Sequence, residues 1–217
     1  MTLRYGTYLF DLDGTLLDSI ELIVESFRHT AAWHAARTGT TAPPEDRWTQ
    51  GIGRTLREQL GALARTPEEL DALVEHYVRW NLAQHDAMVR PYPDAVETVR
   101  ALHRQGARLA LVTGKMRRGA GAGLRVLGLE DAFAVRVCGD DVTQGKPHPE
   151  SVHQALAALG TSAEDAVFVG DSPHDMGAGR AAGVATAAAR WGPFEDDVLV
   201  AHEPTHWLDD LPSLLRL

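Results

Sequence analysis

The chain has 217 residues, of which 44% are hydrophobic and 24% charged, with a formal net charge of −9. That mix fits a globular protein of one large or two small domains, and an acidic chain without a Lys/Arg block argues against nucleic acid or an anionic membrane as partner. No apolar run approaches the roughly 20 residues that span a bilayer, the segment Met1–Gly6 lacks a signal peptide's apolar region, and a lone Cys138 cannot close an internal disulfide, so a cytoplasmic location is expected.

In chain order, the first strand is expected at Tyr8–Asp11. From about Ser19 to Met88 the pattern is helical: Leu22, Ile23, Ser26 and Phe27, then Leu56, Leu60 and Leu63, then Leu70, Leu73, Val74 and Tyr77. The stretch is too long for a crossover loop and reads as a helical insert. Arg90-Pro91-Tyr92-Pro93 marks the return, since two prolines in four residues stop a helix. A helix starting at Pro93 or Asp94 carries Val96, Val99 and Leu102 and stops near Gly106.

Strands are then expected at Leu109–Thr113, Val135–Cys138, Val167–Gly170 and Val184–Ala187. Helices Arg117–Leu127, Glu150–Leu159 and Asp175–Ala182 alternate with them. Such alternation predicts βαβ units with right-handed crossovers. The expected fold is therefore α/β: a Rossmann-like three-layer sandwich with a parallel sheet, formed by residues 1–18 and 89–217, plus a small helical-bundle domain over 19–88. The tail after Trp191 reads as irregular closure ending in Leu211–Leu217. Five tryptophans, Trp33, Trp48, Trp80, Trp191 and Trp207, show no stacking pattern in their spacing and read mostly as packing residues.

In an open parallel sheet, ligands bind beyond the carboxyl ends of the strands. Those ends carry Asp11-Leu12-Asp13-Gly14-Thr15, then Thr113-Gly114-Lys115, then, after a loop, Lys146-Pro147, and finally Gly170-Asp171-Ser172-Pro173-His174-Asp175. Carboxylates gathered on one rim repel one another and call for a cation. A hard divalent ion with oxygen ligands answers that need, and Mg²⁺ suits a site shared with a phosphate. Carboxylates, Mg²⁺, a hydroxyl, a lysine and backbone donors together describe phosphoryl transfer.

The same residues resemble the motifs of the haloacid dehalogenase-like hydrolase superfamily, in particular its phosphatases with a helical cap. Phe10-Asp11-Leu12-Asp13-Gly14-Thr15-Leu16-x-Asp18-Ser19 is similar to the first motif, Thr113-Gly114 to the second, Lys146-Pro147 to the third, and Gly170-Asp171-x-x-x-Asp175 to the fourth. The resemblance implies Asp11 as a nucleophile forming an aspartyl-phosphate, and Asp13 as general acid and base. It implies Thr113, the Gly114 amide and Lys146 as phosphate-binding groups. It implies a Mg²⁺ site of Asp11, the Asp13 carbonyl and Asp171. Asp175 is either a water-mediated ligand or a charge at a helix start. An aspartate at position 13 favours phosphatase or phosphomutase chemistry over dehalogenation.

The insert resembles that superfamily's cap, and Thr49–Leu56 lies about where its specificity loop lies. Arg54 and Lys115 are candidate substrate contacts; surface roles are the alternatives. His148 and His174 read as loop histidines. Softer matches, Glu21-Leu22-Ile23, Ser26-Phe27-x-His29-Thr30, Asp140-Asp141-Val142 and Asn81 with His85 and Asp86, resemble a bacillar pyrophosphatase of the superfamily. The whole chain also resembles phosphoglycolate phosphatases. The expected partner is a small phosphorylated substrate, either a phosphomonoester or pyrophosphate. A sugar phosphomutase and a catalytically silent binding protein are the alternatives, and monomer or homodimer stays open.

Overall fold

A computed structural model describes residues 3–41 and 43–217; Met1 and Thr2, the start of the segment read against a signal sequence, and Ala42, within the helical insert, lie outside the described residues. Strand β1 (Thr7–Phe10) leads to a short β2 (Leu17–Asp18). Helices α1 (Ile20–Thr38), α2 (Glu45–Thr49), α3 (Leu56–Gly61) and α4 (Pro67–Met88) follow. Thr55 and Thr66 cap α3 and α4 by accepting from the Glu58 and Glu69 amides, and Pro67 opens α4 where no amide hydrogen is needed. The chain returns through β3 (Arg90–Pro91), which pairs antiparallel with β2, Leu17 opposite Pro91 and Asp18 opposite Arg90.

The alternating half then runs α5 (Ala95–Arg104), β4 (Arg108–Val112), α6 (Arg117–Leu127), β5 (Val135–Val137) and α7 (Glu150–Leu159). It continues through β6 (Ala166–Gly170), α8 (Pro173–Ala181), β7 (Ala185–Ala189), α9 (Asp196–Val200) and β8 (His206–Leu208). Six strands form one parallel sheet in the order β5-β4-β1-β6-β7-β8. Strand β1 lies inside it and is fully buried, as its unbroken apolar run requires. Alternate residues face opposite layers. Tyr8 and Phe10 join α5 and α6 through Val99, Leu102 and Leu124, while Leu9 joins α7 and α8 through Val152, Ala155 and Ala178. This is the expected α/β sandwich.

Two expectations need correction. The sheet has a sixth strand: β8 pairs with β7 from Ala187 opposite His206 to Ala189 opposite Leu208. A 3₁₀ turn over Leu211–Arg216 then buries Leu211 and Leu214, so the tail is ordered closure. The three residues His206–Leu208, just past His202-Glu203-Pro204, are too few for a periodic signal. The tryptophans do pack against apolar clusters, as expected, but Trp33, Trp48 and Trp80 also stack on ring partners. Trp48 lies 4.3 Å from Phe27 at 14°, and Trp33 lies 4.3 Å from His76 at 13°. These partners are distant in sequence and meet only when α1, α2 and α4 pack.

Helices α1–α4 hold an apolar cluster of their own that includes Ile23, Phe27, Trp48, Leu60, Leu73 and Tyr77. Among the contacts that tie this insert to the sheet's carboxyl rim are two hydrogen bonds and one close backbone approach. His174 donates from Nε2 to the Gln50 carbonyl at 3.0 Å, and the Gly145 amide donates to Glu58 Oε1 at 3.2 Å. Gly114 lies against the Gly53–Arg54 backbone so closely that a Cβ there would stand 2.5 Å from the Arg54 carbonyl oxygen. His174, expected in a loop, is therefore the second residue of α8 and a bridge to the insert. No helix among the described residues is long and apolar enough to cross a membrane.

Candidate active site

The loop after β1 turns back on itself. The amides of Leu16 and Leu17 donate to the Leu12 carbonyl at 3.0 and 2.9 Å. Gly14 adopts φ 84°, a left-handed conformation that glycine tolerates, and packs directly on the Asp171 carboxylate, where a side chain would collide. Asp11 stays in the ladder, its amide donating to the Val169 carbonyl at 2.9 Å. The β1 and β6 carboxylates are thereby brought together: Asp11, Asp171 and Asp175 each place a carboxylate oxygen within 4.8 Å of the others, and all three are buried.

Lys146 enters this cluster from the loop between β5 and α7. Its Nζ lies 3.1 Å from Asp11 Oδ1 and donates to Asp175 Oδ1 at 2.5 Å. The Lys146–Asp11 approach lacks the alignment of a hydrogen bond. Asp11 Oδ1 and Asp171 Oδ2 are buried oxygens without a hydrogen-bond partner among the described residues. Buried acceptors are nearly always satisfied; Asp11 Oδ1 has only the Lys146 ammonium facing it and Asp171 Oδ2 has nothing, which fits a further bound cation. The other Asp171 oxygen accepts from Thr15 Oγ1 at 2.5 Å, and Thr15 is fixed in turn by Trp191 Nε1 donating to its carbonyl at 2.9 Å.

The electrostatics follow from burial. Desolvation pushes the Asp11 carboxyl up to about 7; Lys146 pulls it down, and Asp175 and Asp13 push it further up. Burial, with Asp175 and Asp11, raises Asp171 well above the carboxylate range. Burial disfavours the Lys146 ammonium, but Asp11 and Asp175 outweigh it and raise its pKa above the ordinary lysine value. The cluster thus holds one firm cation and more carboxyl groups than that cation can balance, so without a further cation Asp11 and Asp171 tend to keep a proton.

The other sequence candidates divide. Thr113 and Gly114 line one cavity with Asp11 and Asp13. Lys115 lies in the same wall and donates to both Asp13 oxygens, at 2.8 and 3.2 Å. Ser19 donates to Asp13 Oδ1 at 2.5 Å. Arg54 lines the cavity from the insert, half exposed, with Nε 3.8 Å from Glu58 Oε2. Asp175 is the third residue of α8. Its Oδ2 accepts from the Ser172 amide at 3.0 Å and from Ser172 Oγ at 2.5 Å. Both its oxygens are thus engaged, one capping the helix and one holding Lys146. His148 stays in its loop, its Nδ1 accepting from the Glu150 amide at 3.3 Å.

Sequence reasoning passed over Thr15, Ser19 and Ser172 as individual functional groups, although they stand inside the quoted motifs. Ser172 carried a signal: a serine before Pro173 with a carboxylate three residues on is an N-cap pattern. Trp48 and Gln59, which also line the cavity, carried none.

Comparison with known proteins gives the chain a family. A family model described as haloacid dehalogenase-like hydrolase matches residues 8–189. Pyrophosphatase PpaX of Halalkalibacterium halodurans is 39% identical over 216 residues, covering 99% of this chain and 97% of that protein. The crystal structure of a hydrolase from Pseudomonas syringae superposes with a TM-score of 0.87 at 23% identity, covering 97% of this chain and 96% of that one. A predicted phosphoglycolate phosphatase from Haemophilus somnus superposes with a TM-score of 0.83 at 23% identity, covering 100% and 99%. These two likenesses are of fold. The chain belongs to the haloacid dehalogenase-like hydrolase family.

Proposed function

We propose that this member of the haloacid dehalogenase-like hydrolase family is a Mg²⁺-dependent phosphohydrolase that acts on a small phosphomonoester or pyrophosphate through an aspartyl-phosphate at Asp11. The observation that carries the reading is the buried Lys146 beside the Asp11 carboxylate, in a cluster where Asp11 Oδ1 and Asp171 Oδ2 have no hydrogen-bond donor among the described residues. Asp11, the Asp13 carbonyl and Asp171 would hold the ion, with Asp175 behind them on Lys146. When bound, Mg²⁺ would neutralise the carboxylates and the substrate's phosphoryl oxygens.

The protein's own groups divide the remaining work. Lys146 orients Asp11 and offsets its charge. An Asp11 oxygen attacks phosphorus, and the bond from phosphorus to the leaving oxygen breaks. Asp13 gives its proton to that oxygen. It then takes a proton from the water that attacks the aspartyl-phosphate, which releases phosphate and restores Asp11. Thr113 Oγ and the Gly114 amide, which line the cavity with Asp11, would donate to the phosphoryl oxygens. Ser19 and Lys115 keep Asp13 in place between these steps. The insert serves as a cap over the rim and keeps bulk water from the aspartyl-phosphate. The likeness to a pyrophosphatase and to a predicted phosphoglycolate phosphatase supports phosphate compounds as the substrate class.

The test is free-phosphate release, with and without Mg²⁺, from pyrophosphate, phosphoglycolate, sugar phosphates and nucleotides. Mg²⁺-dependent release by the wild type and none by Asp11→Asn is expected. Undiminished release by clean Asp11→Asn protein rules out Asp11 as nucleophile. Asp13→Asn should lower kcat far more than it raises KM, because its role is proton transfer.

A further inference from the structure

Four strand ends supply the carboxylates, the hydroxyl and the lysine of the site. A fifth loop, Trp191–Phe194, follows β7 and reaches three separate parts of the molecule. Trp191 Nε1 donates to the Thr15 carbonyl at 2.9 Å, and Thr15 Oγ1 donates to Asp171 Oδ1 at 2.5 Å. The Trp191 ring also stands 6.5 Å from that of Tyr92, whose amide donates to the Leu16 carbonyl at 3.1 Å where the chain returns from the insert. Gly192 packs on the same aspartate: a Cβ there would stand 2.9 Å from Asp171 Oδ2 and nearer still to Asp171 Cβ. Phe194 packs against the insert's own apolar cluster.

That cluster forms the apolar roof of the site. Ile23, Trp48, Ile52 and Tyr77 belong to it and also line the cavity above Asp11. The loop therefore spans from the carboxylate beneath the cavity to the side chains above it, and it has little freedom between these ends. Pro193 fixes one backbone dihedral. Gly192 cannot move toward Asp171 without a clash. Thr15 holds one Asp171 oxygen, while the other, Oδ2, is buried without a donor and lies against Gly192. Closely packed groups shift together and transmit strain, so a pull on Oδ2 is felt at Gly192 and, two residues on, at Phe194.

Resting on the phosphohydrolase reading and its Mg²⁺ site above, we propose that the Trp191–Phe194 loop ties cation binding to the seating of the insert. Trp191 is a positioning residue that, through Thr15, fixes one Asp171 oxygen and leaves Oδ2 to the ion. Phe194 carries the same constraint to the roof. Neither residue is among those lining the cavity. Such a link is reciprocal: the bound cation steadies the insert, and the seated insert tightens the cation.

The experiment titrates Mg²⁺ calorimetrically into the EDTA-cleared full chain and follows amide exchange across residues 50–61 with and without Mg²⁺. Trp191→Phe keeps a ring and loses the donor. It should bind Mg²⁺ about tenfold or more weaker, as loss of a ligand's hydrogen-bonded partner does, and excess Mg²⁺ should restore phosphate release toward the wild-type kcat. Trp207→Phe, the same replacement in β8, should leave the Kd unchanged. Phe194→Ala should weaken Mg²⁺ by about fivefold and abolish the slowing of exchange that Mg²⁺ brings to the wild type. Phe194→Leu, which keeps an apolar contact, should fall between the two. Wild-type Mg²⁺ affinity in Trp191→Phe, equal weakening in Trp191→Phe and Trp207→Phe, or an unaltered Mg²⁺ effect on exchange in Phe194→Ala overturns this inference and leaves the phosphohydrolase reading standing. A wild type that binds no Mg²⁺ overturns it together with the Mg²⁺ dependence proposed above.

Discussion

Replacing Asp11 with asparagine should stabilise the metal-free protein while abolishing turnover. Burial raises the Asp11 carboxyl from 3.8 to about 7 despite the nearby lysine. A folded-state pKa above the unfolded value means that the native state holds a proton that the unfolded chain releases. Stability from this group is complete below pH 3.8 and is lost as pH rises through about 7. The shift is about three units, and each unit is worth about 1.4 kcal/mol, so at pH 8 the ionised carboxylate costs up to about 4 kcal/mol. Asp171 titrates with it, so the proton belongs to the pair. Asparagine keeps the shape and an oxygen for Lys146 but removes the charge; a gain of about 2–4 kcal/mol is expected at pH 8. Urea unfolding of both proteins in EDTA at pH 5 and pH 8 measures it. The gap should be wide at pH 8 and narrow at pH 5. Asp11→Asn protein no more stable than wild type at pH 8 would refute the account, since Lys146 would then be compensating the carboxylate in full.

The converse change, Lys146→Met, strands Asp11 and Asp175 in a buried site. It should destabilise the metal-free protein at pH 8 by about 3–5 kcal/mol, as breaking a buried pair does, with recovery at pH 5 in the same urea assay and no turnover at either pH. Gly114→Ala puts a methyl 2.5 Å from the Arg54 carbonyl and wedges the insert away from the rim; steady-state kinetics should show kcat/KM lowered by about tenfold or more with unfolding little changed. Ser172→Ala removes the cap of α8 and a donor to Asp175, and thermal unfolding should show a loss of about 1 kcal/mol.

The sheet was legible because its central strands are buried on both faces and therefore read as short unbroken apolar runs, such as Tyr8-Leu9-Phe10 and Val167-Phe168-Val169. Helices α6 and α7 begin and end where the sequence placed them, each closed by a glycine in the left-handed region, Gly128 and Gly160. Strand β8 escaped because three residues hold no period and its pairing depends on β7 being in place. Among site residues, those at strand ends could be read from position alone. The partners that orient them could not. Ser19 reaches Asp13 only because the loop after β1 folds over, and Lys115 reaches the same carboxylate only because β4 lies beside β1. The tryptophan stacks and the apolar roof likewise arise from helices that meet in three dimensions and leave no mark in spacing.

The chain leaves the sheet half at Asp18 and comes back at Arg90, and these two residues are paired neighbours. Everything between them is joined to the sheet along the chain through one two-stranded ribbon. Paired residues in antiparallel strands lie about 4.5–5.5 Å apart, a gap that a two-residue turn closes. Excising the helices would therefore leave ends that rejoin as a simple hairpin beside the parallel sheet, at the loss of Leu22, Trp80 and Met88 from the sheet's apolar cluster. Any other folded unit whose termini meet at that spacing could be spliced in at the same joint. The nucleophile would then keep its surroundings from β1, β4 and β6 while a new roof brought a new preference. The ribbon thus acts as a socket, and it lets such a protein change what it accepts by exchange of a whole part, without residue-by-residue revision of its chemistry.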